Sequence, residues 1–203
     1  MSEIKLKICG VQNINEAKEL VRLGVDYIGL NFVPSSKRRI DLETAQEIVA
    51  AVRSSSTQTV LLFQNQSVEF IKNIASELDI SLLQLHGSED YSTYSSLAVG
   101  NKIIKVIYPN SDLKQQISNF PSDYCLLDRP NQGNGELVSQ DSVKLASSLS
   151  SCLFLAGGIT PSNLQEVIRN ARPYAVDIAS GVRTDGALDV AKIELVQAIL
   201  DRA

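Results

Sequence analysis

Short apolar runs alternate along the chain with longer stretches whose apolar residues recur every three or four positions. The runs predict strands over Ile4 to Cys9, Tyr27 to Phe32, Thr59 to Phe63, Leu82 to Leu85, Ile103 to Ile107, Tyr124 to Asp128, Leu153 to Ala156 and Ala175 to Ala179. They are nearly continuous in apolar character, as parallel strands buried on both faces are. The intervening stretches predict helices over Asn15 to Leu23, Asp41 to Val52, Ser67 to Leu78, Glu89 to Leu97, Ser111 to Phe120, Gln140 to Leu149 and Asp189 to Leu200, with another starting at Thr160-Pro161. Local signals support these ends. Gly24 supplies a stop after the first helix, Asp41 and Glu43 suit the positive end of the second, and Pro161 fits a first helical position. Repeated β/α units place the chain in the α/β class with a parallel sheet. Eight units without a dinucleotide Gly-x-Gly-x-x-Gly turn favour closure into a (β/α)8 TIM barrel over an open doubly wound sheet. The Ser-rich joins at Ser54 to Ser56 and Ser147 to Ser151 are too short for linkers, so residues 1–203 read as a single domain.

Composition narrows the functional classes. Hydrophobic residues at 44% and charged residues at 21% are those of a globular protein. No apolar run reaches the roughly 18 residues of a membrane-spanning helix. The first residues run into a strand pattern without the apolar stretch of a signal peptide, so a cytoplasmic location is expected. A formal charge of -4 and a pI near 5.1 argue against nucleic acid as a partner. The three cysteines form no Cys-x-x-Cys and have no His cluster nearby, which predicts free thiols and no metal site.

In a barrel of this kind the carboxyl ends of the strands carry the chemistry. Cys9 ends the first strand and is followed by Gly10; the thiol is placed to abstract a proton, although a cysteine is often merely a small buried hydrophobe. Asp128 ends the sixth. Partial desolvation there would keep its carboxyl protonated as a general acid, the bland alternative being a loop cap or a pair with Arg129 or Arg183. Gln84 and His86, the only histidine, lie at the end of the fourth strand, and Asp177 lies inside the eighth, where a charge needs a structural partner or an inward substrate contact. Cys125 and Cys152 read as core residues. Gly133 and Gly135 after the sixth strand, Gly157 and Gly158 after the seventh, and Ser180 and Gly181 after the eighth form a candidate phosphate cradle of turn N–H groups. Together these features point to proton transfer on a small phosphorylated substrate.

Several ordered motifs make the chain resemble the phosphoribosylanthranilate isomerase family over essentially its whole length. They are Lys7-Ile8-Cys9-Gly10, Gly29 to Arg38, Leu83-Gln84-Leu85-His86-Gly87, Leu126-Leu127-Asp128, Leu155-Ala156-Gly157-Gly158 and Arg172 to Val182. The resemblance implies a (β/α)8 barrel catalysing an Amadori rearrangement of an aminoaldose to an aminoketose, with no metal or organic cofactor. It implies Asp128 as the acid that protonates the furanose ring oxygen, Cys9 as the base at the sugar C2, and Arg38 as the holder of the anthranilate carboxylate. The chain departs from the family in the loop Asn131 to Val138, which lacks the first glycine and the Phe-Asp-Trp of the usual pattern and carries Glu136. Two alternatives stand beside this reading. One is a related sugar-phosphate barrel isomerase such as the aminoimidazole carboxamide ribotide isomerase of histidine biosynthesis, against which Cys9 argues because such barrels typically use two aspartates. The other is a catalytically silent ligand-binding barrel. A monomer is expected, with a dimer as the alternative.

Overall fold

The computed structural model describes residues 4–110, 112–129 and 138–203. Eight parallel strands close into a barrel in sequence order: β1 Lys5–Cys9, β2 Tyr27–Asn31, β3 Gln58–Phe63, β4 Leu82–Leu85, β5 Lys102–Ile107, β6 Tyr124–Leu127, β7 Leu153–Leu155 and β8 Ala175–Ile178. The closing pair is β1 with β8, in a register that sets Lys7 opposite Asp177. Around the strands lie α1 Ile14–Arg22, α2 Leu42–Val52, α3 Val68–Leu78, α4 Tyr91–Tyr94, α5 Leu113–Asn119, α6 Gln140–Leu149, α7 Leu164–Ala171 and α8 Val190–Leu200. A short hairpin, β9 Arg183–Thr184 with β10 Ala187–Leu188, follows a 3-10 turn after β8.

The period of two along each strand divides the core in two. Leu6 and Ile8 of β1 face the helices, in one apolar layer with Ile28, Leu30, Leu61, Phe63, Leu83, Leu85, Val176 and Ile178. The alternate positions fill the barrel: Tyr27, Val60, Leu62, Leu82, Ile104, Val106, Leu126, Phe154 and Ala175. Phe154 carries the closed end, its ring 5.5 Å from those of Tyr27, Tyr124 and Tyr174. Burying one such side chain stabilises the fold by about 1.5–3 kcal/mol. The amino end of the barrel is thus an aromatic plug, and the polar inward positions are displaced to the other end.

Side-chain caps define most helix starts. Asn13, Asp41, Ser67, Asp90, Ser139 and Asp189 each accept a hydrogen bond from a backbone N–H of the first turn. Two expected helices come out differently. Glu89 does not open the fourth helix, because its carboxylate is drawn inward to Lys105, 2.7 Å away; Asp90 caps a helix of only four residues, continued by a 3-10 turn. Thr160-Pro161 does not start α7, which begins at Leu164. The Asn163 side chain instead spans the turn, accepting from Thr160 N at 2.8 Å and donating to the Gly158 carbonyl at 2.9 Å. The fifth predicted helix begins at Leu113, and its expected first residue, Ser111, lies outside the described residues.

Candidate active site

Cys9 is the last residue of β1 and points inward, packed against the barrel-filling cluster yet only half-buried. Gly10 then turns the chain at φ +76, and a side chain there would come within 2.6 Å of Arg38 Cδ. Glycine at this position serves both the turn and the passage of the Arg38 side chain across it. The loop carrying Arg38 is fixed by Ser36, whose hydroxyl oxygen accepts from Asn31 Nδ2 at 3.0 Å and from Arg38 N at 3.1 Å. The guanidinium stem therefore lies beside the Cys9-Gly10 turn.

Asp128 follows the last residue of β6 and is 8% exposed. Its Oδ1 accepts from Arg129 N at 2.8 Å, and Gly157, at φ +85, leaves room for that oxygen where a Cβ would lie only 3.1 Å from it. Burial pushes the Asp128 carboxyl up to about 6, against the lowering effect of that hydrogen bond. His86 Nε2 is 3.9 Å from Asp128 Oδ2. On its other side Gln84 Nε2 is 3.3 Å from His86 Nδ1. Nε2 is the ring nitrogen that faces Asp128, and Nδ1 the one that faces Gln84. Burial lowers the imidazole pKa, which favours the neutral ring. Gln84 is itself buried inside the barrel.

Asp177 is buried in β8, and its Oδ1 accepts from Lys7 Nζ at 2.9 Å. Burial pushes the Cys9 thiol up to about 11; Lys7 and Arg38 pull it down and Asp177 and Asp128 push it up. Acid, thiol, histidine and ion pair therefore act on one another across the open end of the barrel.

The loops after the last two strands are built for close approach. Gly157 and Gly158 both take positive φ, +85 and +75. A Cβ on Gly181 would sit 2.0 Å from the Ile159 carbonyl oxygen, so these two loops run against each other and only glycine fits. Ser180 is exposed and opens the 3-10 turn Ser180–Val182. Gly133 and Gly135 lie outside the described residues.

Four charged residues absent from the expected set shape the rim. Lys7 lies beneath Cys9. Lys105 Nζ donates to the Gly87 carbonyl at 2.6 Å and to Glu89, and Glu89 accepts from Asn65 N and Gly87 N, so this pair holds the loops after β3 and β4. Arg183 binds both carboxylate oxygens of Glu16 at 2.8 and 2.9 Å and the Gly10 carbonyl at 2.8 Å, which ties the hairpin after β8 to the turn after Cys9. Of the bland alternatives for Asp128, a pair with Arg183 is thereby set aside, because that guanidinium is held by Glu16.

A closed (β/α)8 barrel with a thiol, a desolvated carboxyl and a guanidinium at the carboxyl ends of its strands belongs among the barrel enzymes whose chemistry sits on that rim. Residues 6–198 match the family described as N-(5'phosphoribosyl)anthranilate (PRA) isomerase. N-(5'-phosphoribosyl)anthranilate isomerases of Zygosaccharomyces bailii and Bacillus cereus are each 35% identical over 194 residues, 93% of this chain and 93% and 95% of theirs. The solved phosphoribosyl anthranilate isomerase of Thermus thermophilus superposes with a TM-score of 0.88 at 30% identity, covering 98% of this chain and 99% of that one. A phosphoribosyl anthranilate isomerase in complex with reduced 1-(o-carboxyphenylamino)-1-deoxyribulose 5-phosphate superposes at 0.86 with 28% identity, over 98% of this chain and all of that one. The chain belongs to the N-(5'-phosphoribosyl)anthranilate isomerase family. It is an isomerase of tryptophan biosynthesis that converts the aminoaldose N-(5'-phosphoribosyl)anthranilate to the aminoketose. Among the described residues no helix is long and apolar enough to cross a membrane.

Proposed function

We propose that Asp128 is the general acid and Cys9 the general base of this isomerisation. Asp128 gives its proton to the furanose ring oxygen while the anthranilate nitrogen lone pair forms C1=N and the C1–O bond breaks. The Cys9 thiolate then takes the proton from C2; the C2–H electrons become C1=C2, and the C1=N electrons return to nitrogen. The resulting enolamine tautomerises to the ketone. The cationic imine acidifies C2, so a thiolate suffices as base. The observation that carries this reading is the desolvated carboxyl of Asp128, held protonated to about pH 6, at the same barrel mouth as an inward thiol whose titration it perturbs.

Arg38 beside Gly10 supports a role in holding the anthranilate carboxylate, since a guanidinium binds a carboxylate through two parallel hydrogen bonds. Gln84, His86 and Asp177 complete the substrate-facing set: Gln84 lies against the imidazole Nδ1, and the imidazole Nε2 faces the Asp128 carboxyl. Gly157, Gly158, Ser180 and Gly181 are read as the phosphate cradle, because the positive φ of Gly157 and Gly158 and the close backbone approach at Gly181 leave turn N–H groups uncovered by side chains; Gly133 and Gly135 join them in this reading on their sequence position after β6 alone. The relative bound to the reduced deoxyribulose 5-phosphate compound supports a phosphorylated ligand here. No further cofactor enters this reading.

One barrel domain over residues 1–203 is proposed to act as a monomer in the cytoplasm. Among the described residues the exposed large apolar side chains are Phe70, Tyr91, Val99, Leu145, Leu149 and Leu195, of which only Leu145 and Leu149 share an element, one turn apart on α6, and all three cysteines are free. A dimeric relative is known from Thermotoga maritima, so sedimentation at micromolar protein tests the monomer, and a dimer mass overturns it.

The catalytic assignment is tested by generating phosphoribosylanthranilate in situ from anthranilate and phosphoribosyl pyrophosphate and following the loss of its fluorescence. Asp128→Asn and Cys9→Ala should each lower kcat by about 10²–10⁴-fold or more with the fold intact. Near-normal turnover in both overturns the assignment. Arg38→Ala should raise KM for the substrate; an unchanged KM removes Arg38 from it.

A further inference from the structure

Lys7 stands two residues before Cys9 on the same inward face of β1 and is fully buried. Its ammonium donates to Asp177 Oδ1 at 2.9 Å, and the Cys9 sulfur is the next inward group above it on the same strand, acting on it electrostatically. Burial alone would discharge it, but the Asp177 carboxylate and the Cys9 sulfur hold its pKa above the ordinary lysine value. Burying two ions costs several kcal/mol each in desolvation, and an apolar pair would fill the same space without that cost. A charge kept at the centre of the barrel calls for a use, and the group next to it on the inward face of β1 that can gain a negative charge is the Cys9 thiol.

We propose that Lys7 is a positioning residue for the isomerisation: held by Asp177 beneath the open end of the barrel, its ammonium is the fixed countercharge of the Cys9 thiolate. This rests on the reading of Cys9 as the base. The charged groups facing the thiol from the packed elements are Lys7 on β1, Asp177 on β8, Arg38 after β2 and Asp128 after β6. Lys7 is the leading one among them that favours the thiolate. Arg38 is only half-buried and is committed to the substrate carboxylate, so it is neutralised when substrate binds. Lys7 is not. Its companion Asp177 opposes the thiolate, which makes the pair a balance: the ammonium is anchored by a group that also limits how far it can activate the sulfur. The same ammonium lowers the pKa values of His86 and Asp128, so one buried cation biases all three titratable groups of the mouth.

The test reads the thiol directly. Carboxamidomethylation of Cys9 by iodoacetamide is measured between pH 8 and 10 by mass spectrometry of the Cys9 peptide, in the intact protein and in Lys7→Met, a change that keeps the volume of the side chain and removes the charge. The expected result is alkylation at least tenfold slower at each pH, with kcat down by tenfold or more and KM nearly unchanged. Because Lys7→Met strands the Asp177 carboxylate, the paired variant Lys7→Met/Asp177→Asn provides a folded background without either charge. Its Cys9 should react at a rate between those of Lys7→Met and the parent, since the opposing carboxylate is gone as well. Equal alkylation rates in the parent and in either folded variant overturn the proposal and leave Lys7 as a structural ion. Slower alkylation with unchanged kcat upholds the countercharge and overturns instead the reading of Cys9 as base.

Discussion

Lys7 and Lys105 make an internal control on one another. Both are lysines in barrel strands, both are buried, and each meets a carboxylate below 3 Å, Asp177 at 2.9 Å and Glu89 at 2.7 Å. They differ in the face of the strand they occupy. Lys105 points outward from β5, with its ammonium 5.6 Å from the Phe120 ring, and its remaining protons go to the Leu85 and Gly87 carbonyls. Glu89 in turn accepts from Asn65 N and from Gly87 N. Every strong contact of that pair is to backbone or to its partner, which is how a buried ion pair fixes loops. Lys7 points inward, and the next group on its face of the strand is a thiol that can titrate. The same pair of ions is thus a fastening on one side of the sheet and an electrostatic device on the other, and parity along the strand decides which.

The largest expected effect separates the two. Removing one partner of a buried ion pair costs about 3–5 kcal/mol because the other charge is left uncompensated. Lys105→Met should therefore lower the melting temperature by about 10 °C, at roughly 2–4 °C per kcal/mol for a domain of this size, while Cys9 in the folded protein alkylates at the parent rate. Differential scanning calorimetry and peptide mass spectrometry together check this. A slowed Cys9 in Lys105→Met would show that the distinction between the faces is wrong.

How far the sequence carries this comparison depends on which interactions are local. The eight strands and the positions of Cys9 and Asp128 at strand ends follow from apolar runs and their boundaries. Lys7 was hidden by the same signal. Lys5-Leu6-Lys7-Ile8-Cys9 reads as an apolar run, yet its strict alternation sets both lysines in line with Cys9. Parity, rather than overall hydrophobicity, was the available clue. Glu89 could not be assigned locally, because a glutamate just before Asp90-Tyr91 looks like a helix start and its partner Lys105 is 16 residues away. Gly181 reads only as a turn glycine; the reason for it is the Ile159 carbonyl on a neighbouring loop. The Arg183 partner is not local either, since Glu16 is 167 residues distant.

The second effect in size has the opposite sign. The Asp128 carboxyl is raised from 3.8 to about 6, so between those values the folded chain binds a proton that the unfolded chain does not, and stability from this group falls as pH rises through that window. At about 1.36 kcal/mol per unit, the buried carboxylate costs up to about 3 kcal/mol above pH 6. Asp128→Asn, which keeps an acceptor for Arg129 N, should gain about 1–3 kcal/mol of stability at pH 8 and nothing at pH 4, while losing activity. Urea unfolding at the two pH values decides. An equal change at both would mean that packing, and not ionisation, sets the effect.

Next comes the pH dependence of kcat/KM. Turnover needs Asp128 protonated and Cys9 ionised, although the carboxyl titrates near 6 and the thiol near 11. Between those values the product of the two required fractions is constant, because each pH unit that removes protonated acid adds as much thiolate. Below 6 the acid is saturated and thiolate continues to fall, so kcat/KM drops tenfold per unit, or about 1.4 kcal/mol. A plateau with an acid limb near 6 is expected. Lys105→Met should leave it in place; Lys7→Met should lower the plateau, because it moves the thiol further from the carboxyl. An acid limb near 4 in the parent would mean that Asp128 is not desolvated.

The smallest effect belongs to the closed end of the barrel, which tests whether polar groups there act on the rim at all. The Tyr27 and Tyr174 hydroxyls share a hydrogen bond of 2.8 Å beside Phe154, and burial pushes Tyr27 far above its ordinary pKa, so it stays neutral at any working pH. Tyr27 is on β2, opposite Lys7 in the strand register and inward as it is, but its hydroxyl is engaged by Tyr174 and its ring by Phe154, and it faces no group that changes charge during the reaction. Tyr27→Phe removes one neutral hydrogen bond and leaves the ring packing, a loss of about 0.5–1.5 kcal/mol. The Cys9 alkylation rate and kcat should both stay at the parent values. Being inward is then not sufficient for a role in the chemistry. Charge matters as well, since a neutral hydroxyl among aromatic rings offers none to the thiol and the Lys7 ammonium, opposite it in the register, does.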